Sequence, residues 1–181
     1  MKHLFTTAVV TAAFALPLAA AAQERYPTLK QDQLSPAQKA YVESLAKPPR
    51  NNTTALQNPP FKVYMRSPEL ATKLEAMSDY VRWGTGQPPR LTELAIMITA
   101  RQWSQLYEWR SHYPLAIKGG LDRQILVDLG AGVRPQSMKD DEAALYDFCI
   151  EMYRDKNVSD ATFKAALAKF GERGIMDLIG I

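Results

Sequence analysis

The sequence RLTELAIMITARQWSQLYEWRSHYPLAIKGGL, residues 90–121, decides the fold. Residues 94–100 are apolar on nearly every side of a helix, which is typical of a helix buried in a core. Glu93 is a lone carboxylate at the start of this apolar run. The chain is predicted to bend near Ser104, a candidate N-cap, before a second, amphipathic helix over residues 105–118. The stretch therefore predicts two packed helices with a charged group carried into the core.

Caps and apolar spacing predict further helices on both sides of this stretch. Predicted N-cap residues are Ser35, Ser67, Asp122 and Ser159. Long helices are expected over residues 139–156 and 160–170. No segment shows the strict apolar–polar alternation of a strand, so the chain is predicted to be all-α and to form one domain.

Two predictions concern the chain before the central stretch. Residues 50–60 are rich in Asn, Thr and Pro and are predicted to form a loop. Residues 69–83 are predicted to form a helix that ends at Gly84. Its inward stripe, at spacings of three and four, is predicted to be Leu70, Leu74, Met77 and Val81.

The N-terminus has the pattern of a secretory signal. A short basic start precedes an apolar, Ala-rich run, and the small residues up to Ala22 fit a cleavage site. We expect residues 1–22 to be a cleaved signal peptide and the mature protein to be periplasmic; an uncleaved membrane anchor is the alternative. Residues 23–60 then form an arm, a helix and a Pro-rich loop, followed by a domain over residues 61–181.

Composition excludes several classes of function. The net charge of +3 and the scattered basic residues favour neither a nucleic-acid surface nor a membrane-binding surface. The single cysteine, Cys149, permits no internal disulfide and no CxxC redox chemistry. Its position in an amphipathic helical pattern favours a small buried hydrophobe over a reactive thiol.

Glu108 and His112 are the first candidates for chemistry. They stand four residues apart and share one face of a helix. A carboxylate beside an imidazole fixes the ring tautomer, as a general acid–base pair requires. The alternative is a weak surface ion pair. Tyr107 and Trp109 flank the pair and favour a partly buried, substrate-lining position.

Three further residues complete the candidate site. Glu93 is either a first-turn acid that complements the helix dipole or a buried partner in proton transfer. Arg101 is a candidate counter-ion for Glu93 or a bidentate anchor for a substrate carboxylate, and Arg110 is a weaker candidate of the same kind. No metal site and no cofactor are predicted, because His112 is the one histidine outside the signal peptide and no phosphate-binding loop is present.

The motifs QPPRLTELAIM and YEWRSHYPLAIKGGL, in this order and spacing, resemble the carboxymuconolactone decarboxylase family of the AhpD-like alkylhydroperoxidase superfamily. The resemblance implies an antiparallel helical bundle that assembles into homotrimers or homohexamers, with a pocket for a small-molecule substrate near subunit interfaces. Glu93 and His112 match the family's Glu and His. Gln105 and Glu108 stand where the peroxidase branch has its two cysteines, so thiol-peroxidase chemistry lacks its sulfur atoms.

The resemblance also implies that relatives continue with a further helix after the position that corresponds to Ile181. We expect this helix either to be absent by nature or to be lost by truncation, and the apolar face it would leave either requires a partner subunit or costs stability.

The residues and the resemblance together predict a cofactor-free lyase acting on a small carboxylated or lactone-like substrate. Arg101 or Arg110 would hold the carboxylate, and Tyr107 and Trp109 would line the pocket. His112 would deliver the proton, with Glu108 orienting it and Glu93 assisting. The alternatives are an exported small-molecule-binding protein without turnover and, less well supported, an alkylhydroperoxidase or peroxiredoxin-type antioxidant.

Overall fold

A computed structural model describes residues 25–181 of the chain. The predicted signal peptide lies outside these residues. The described part contains helices and no strand, which confirms the all-α prediction. The helices are α1 (Pro36–Leu45), α2 (Pro59–Tyr64), α3 (Pro68–Asp79), α4 (Pro89–Gln102), α5 (Leu106–Lys118), α6 (Arg123–Ala131), α7 (Asp140–Asp155) and α8 (Asp160–Ile179).

Helix α4 is the centre of the larger of two main apolar clusters and packs against α5, α6 and α7. It begins at Pro89, where a missing N–H costs nothing. Leu94 and Met97 are wholly inaccessible to solvent, and the predicted burial of residues 94–100 is confirmed except at Ile96 and Thr99, which are partly exposed and line a cleft. Full burial of one such side chain stabilises the fold by about 1.5–3 kcal/mol.

The predicted bend between α4 and α5 is confirmed. Ser104 has a φ of 52°, a left-handed conformation, and Gln105, not Ser104, occupies the N-cap position of α5. The Gln105 N–H donates to the Ala100 carbonyl at 2.8 Å and closes the turn. The two helices therefore fold back on each other, and residues near the start of α4 meet residues in the middle of α5.

Helix α3 corrects two predictions. Its α-helical part ends at Asp79 and continues as a π-helical turn, Tyr80–Gly84. Its exposed face carries Leu70, Leu74 and Met77, whereas Ala71 and Glu75 are buried. The predicted inward stripe is wrong for three of its four members, because the smaller cluster accepts the opposite face of the helix.

The smaller cluster joins α1, α2 and α3 around Tyr41, Leu45 and Met65. The predicted loop over residues 50–60 contains a 3₁₀ turn, Ala55–Gln57, and the start of α2, so that prediction is wrong in part. Two adjacent prolines begin α2, where their missing N–H groups are tolerated.

Helix α8 is longer than predicted and is interrupted at Gly171, whose φ is 65°. Of the predicted caps, Ser35, Asp122 and Ser159 accept backbone hydrogen bonds through their side chains, whereas Ser67 does not. Within residues 25–181, no helix is long and apolar enough to cross a bilayer.

Candidate active site

Glu93, His112 and Glu108 lie together where α4 packs against α5. The His112 Nδ1 atom is 2.7 Å from Glu93 Oε2, which is a hydrogen bond. On the other side of the ring, His112 Nε2 is 3.4 Å from Glu108 Oε2. The imidazole thus stands between two carboxylates supplied by two helices. We call this group the Glu–His–Glu triad.

The exposed fraction of the side chain increases from Glu93 through His112 to Glu108. The side chain of Glu93 is 9% exposed, that of His112 is 12% exposed, and that of Glu108 is 42% exposed. An ionised carboxylate only accepts hydrogen bonds, so contact with Glu93 places a proton on Nδ1. In the neutral ring Nε2 then carries the lone pair, and it faces the more open side. His112 can therefore exchange a proton at Nε2 with a bound molecule.

Arg82 is the counter-ion of Glu93. Its Nη2 atom donates to Glu93 Oε1 at 3.2 Å, and its guanidinium lies 4.3 Å from the Trp83 ring centroid. Both residues belong to the π-helical turn after α3. π-helical turns are rare and occur frequently at functional sites. Arg82, not the predicted Arg101, balances the charge of Glu93.

Arg50 reaches the same aromatic ring from the N-terminal part of the chain. Its guanidinium lies 5.5 Å from the Trp83 centroid. Its Nη2 and Nε atoms are 2.5 Å from Glu75 Oε2 and 2.6 Å from Asp79 Oδ1. These are close charge contacts with poor hydrogen-bond alignment. Arg50 therefore joins the loop after α1 to α3 and to the π-helical turn.

Tyr41 completes this second polar group by donating from its hydroxyl to Glu75 Oε1 at 3.0 Å. Burial raises the pKa of the Glu75 carboxyl, and Arg50 beside it acts in the opposite direction. Burial, followed by the negative charge of Glu75, raises the pKa of the Tyr41 phenol well above its usual range. The group ties α1, α3 and the loop after α1 together and supports the wall beside the triad.

A wide, partly open cleft of about 1180 Å³ runs past the triad. It is larger than the roughly 300–1,000 Å³ typical of small-molecule pockets. The N-terminal helices, the π-helical turn and the α4–α5 pair all contribute to it. Its aromatic wall residues are Phe61, Tyr64, Trp83, Trp103 and Tyr107. A flat, partly apolar molecule fits such walls.

Three predicted substrate-binding residues do not line this cleft. Arg101 turns away and donates from Nε to the Gly130 carbonyl at 3.3 Å. Trp109 packs against the larger apolar cluster, and Arg110 lines a separate shallow depression on the surface. Each residue turns about 100° around the helix axis from the one before, so Trp109 and Arg110 leave the face that Glu108 and His112 present to the cleft. Tyr107 does line the cleft, and burial raises its pKa.

Sequence reasoning identified the triad but missed Arg82 and Arg50. Arg82 lies in the last part of the helix predicted over residues 69–83, which forms the π-helical turn, and Arg50 lies in the loop after α1. The adjacent Arg82 and Trp83, just before Gly84, were the available signal. The stacking of Arg82 on the Trp83 ring depends on how the π-helical turn packs beside α4, which the sequence does not show.

Neither a metal site nor a reactive thiol emerges from the described residues. Within residues 25–181, no three His, Cys, Asp or Glu side chains are grouped to hold a metal ion. Cys149 is buried, and desolvation raises the pKa of its thiol to about 12. The interpretation of Cys149 as a small buried hydrophobe is confirmed.

Comparisons of the chain with family models, curated proteins and solved structures gave no match in any of the three. The resemblance to the carboxymuconolactone decarboxylase family therefore depends on the motif residues of the sequence.

Proposed function

We propose that the protein is a carboxymuconolactone decarboxylase-like member of the AhpD-like superfamily and acts as a cofactor-free lyase. Its substrate is a small carboxylated or lactone-like molecule bound in the cleft. One observation carries the proposal: Glu93 holds His112 through Nδ1 at 2.7 Å, while Nε2 faces the cleft beside Glu108. This arrangement delivers or removes one proton at a fixed point.

The proposed reaction begins with His112 protonated at both ring nitrogens. The bond between the substrate and its carboxylate breaks, CO₂ leaves, and the electron pair stays on the substrate as an enolate. His112 transfers its Nε2 proton to the enolate carbon and becomes neutral. Glu108, which is the more exposed carboxylate, then relays a proton from water to restore the imidazolium. One substrate carboxylate and one proton thus give CO₂ and the protonated product.

The two carboxylates exchange the roles that the sequence predicted for them. Glu93 is the orienting residue, because it is buried, hydrogen-bonded to Nδ1 and held by Arg82. Glu108 is the proton relay, because its longer contact with Nε2 lies on the open side. A buried, hydrogen-bonded carboxylate on one side of the ring and a more exposed one on the other suit repeated proton exchange.

Export and assembly are also part of the proposal. The signal-like N-terminus supports a periplasmic location. Exposed apolar residues on α3 and near the end of α8, including Leu70, Met77 and Met176, are consistent with a trimeric or hexameric assembly. The all-helical architecture is compatible with the proposed AhpD-like bundle.

The test is turnover of carboxylated lactones by the purified mature protein without added metal or thiol. His112→Ala and Glu93→Gln are each expected to reduce kcat by about 10²–10⁴-fold. Glu108→Gln is expected to have a smaller effect and to change the pH profile. The matched control is Glu172→Gln, which alters an exposed carboxylate on α8. Turnover unchanged in His112→Ala would exclude the proposal.

The alternatives give different results in the same experiments. A binding protein without turnover would show ligand-dependent thermal stabilisation and no product. A thiol peroxidase would consume peroxide only with a reductant and would lose activity in Cys149→Ala. The burial of that single thiol argues against the peroxidase.

A further inference from the structure

One face of α5 lines the cleft along most of the helix. Glu108, Ser111, His112, Leu115 and Lys118 all contribute to it. The spacing of three and four residues places these side chains in one row. Glu108 stands at the N-terminal end of this row, His112 in its middle, and Lys118 in the last turn of the helix. The helix therefore sets the separation of the His112 and Lys118 positions along its axis.

Of the described cations that line the cleft, two are already neutralised. Arg50 contacts Glu75 and Asp79, and Arg82 contacts Glu93. Lys118 is exposed and, among residues 25–181, pairs with no carboxylate. An anion that entered the cleft would meet two guanidiniums occupied by carboxylates and one unoccupied ammonium. Coulomb attraction in a partly open cleft directs that anion to Lys118.

The separation along α5 sets the length of the ligand. Lys118 is the sixth residue after His112 along α5, and a rise of about 1.5 Å per residue separates their levels by about 9 Å. We propose that Lys118 binds a second anionic group of the substrate, remote from the atom that exchanges a proton with His112. The substrate class is an elongated, flat carboxylate that spans this distance between the aromatic walls. The identity of its reacting end rests on the proposed function.

A purely structural role for Lys118 makes a different prediction. A cation in the last turn complements the helix dipole, with a small stabilising effect that is independent of any ligand. That role would affect charged and uncharged ligands equally. The discriminating measurement therefore compares a carboxylate with its neutral ester.

The probes are 4-hydroxybenzoate, 4-hydroxyphenylacetate and 3-(4-hydroxyphenyl)propionate, each with its methyl ester. The phenol can form a hydrogen bond with His112 Nε2 while the carboxylate extends towards Lys118. Calorimetry on the mature protein is expected to show the longest acid binding most tightly. Lys118→Gln is expected to weaken the binding of that acid by about fivefold to tenfold and to leave its ester unchanged.

Two further variants keep the experiment decisive. Lys118→Arg retains the charge and is expected to restore most of the affinity. Lys164→Gln removes an exposed lysine on α8 and is expected to change nothing. Equal loss for acid and ester, no loss at all, or no binding of any acid by the wild-type protein would overturn the proposal. Turnover is not needed for this result, so failure of the proposed lyase activity is recognised separately through His112→Ala.

Discussion

Helices α3 and α4 show opposite outcomes of the same kind of apolar pattern. Both carry apolar residues at helical spacing, and both were predicted to bury them. In α4, Leu94 and Met97 are inaccessible to solvent. In α3, Leu70 is 55% exposed and Met77 is 52% exposed, whereas Glu75 is 8% exposed.

The difference shows when apolar spacing is sufficient to predict burial. Helix α4 is apolar on nearly every side, so any rotation about its axis buries apolar side chains. Helix α3 has a narrow apolar stripe and a polar face, so its rotation depends on the partners available. Tyr41 and Arg50 supply a hydrogen bond and a charge for Glu75, and the helix turns its polar face inward.

The largest expected loss of unfolding free energy is for a substitution in the buried helix α4. Leu94→Ala removes a fully buried side chain and leaves a cavity in the larger cluster. The free energy of unfolding is expected to fall by about 2–5 kcal/mol, measured by urea denaturation. A loss below 1 kcal/mol, roughly that of one exposed ion pair, would show that α4 is not the centre of the core.

Arg50→Ala removes the ion pair that holds Glu75 of α3 in its buried position. This leaves Glu75 buried without its counter-ion and is expected to cost about 3 kcal/mol of unfolding free energy. The matched control is Arg134→Ala, which breaks a pair with Asp147 whose side chains are both nearly half exposed. The control is expected to lose less than about 1 kcal/mol. Similar losses in the two variants would contradict a structural role for the buried group.

A smaller loss, with a characteristic pH dependence, is expected for Tyr41→Phe. Removing the hydroxyl leaves Glu75 without one donor and is expected to cost about 1–2 kcal/mol at pH 7. The pKa of Tyr41 is raised in the folded protein, so its stabilising contribution is complete below the unfolded value of about 10 and is lost as the pH rises above it.

The wild-type protein should therefore lose unfolding free energy more steeply than Tyr41→Phe above pH 10, an ordinary tyrosine pKa. Denaturation curves of both proteins between neutral and alkaline pH measure the difference. Parallel losses would show that Tyr41 does not titrate differently in the two states.

The smallest expected effect is on the exposed face of α3. Leu74→Ala alters a side chain that is 37% exposed, and its cost in the monomer is expected to stay within about 0.5 kcal/mol. Leu74→Ala also serves as the chemically matched partner of Leu94→Ala. A loss as large as that of Leu94→Ala would indicate that this face is covered, and analytical ultracentrifugation would then show whether the cover is a second copy.

The candidate site was predictable to the extent that it lies on the α4–α5 pair. The spacing of four residues placed Glu108 and His112 on one face, and the helical bend brought Glu93 to the same ring. The roles of the two carboxylates were not predictable, because they depend on which side of the imidazole is buried. Arg101 was predicted as the counter-ion of Glu93, but its position on α4 directs its side chain to the Gly130 carbonyl.

The sequence by itself determined the helical class, the buried helix α4 and the placement of Glu108 and His112 on one face of α5. These follow from local quantities, namely the periodicity of apolar residues, the caps and the spacing of polar groups along one helix. Tertiary structure alone decided the rotation of α3, the contacts of Glu93 with His112 and Arg82, and the cleft in which Lys118 pairs with no carboxylate among residues 25–181. Those features join residues distant in sequence, and their energies depend on which polar groups are desolvated together.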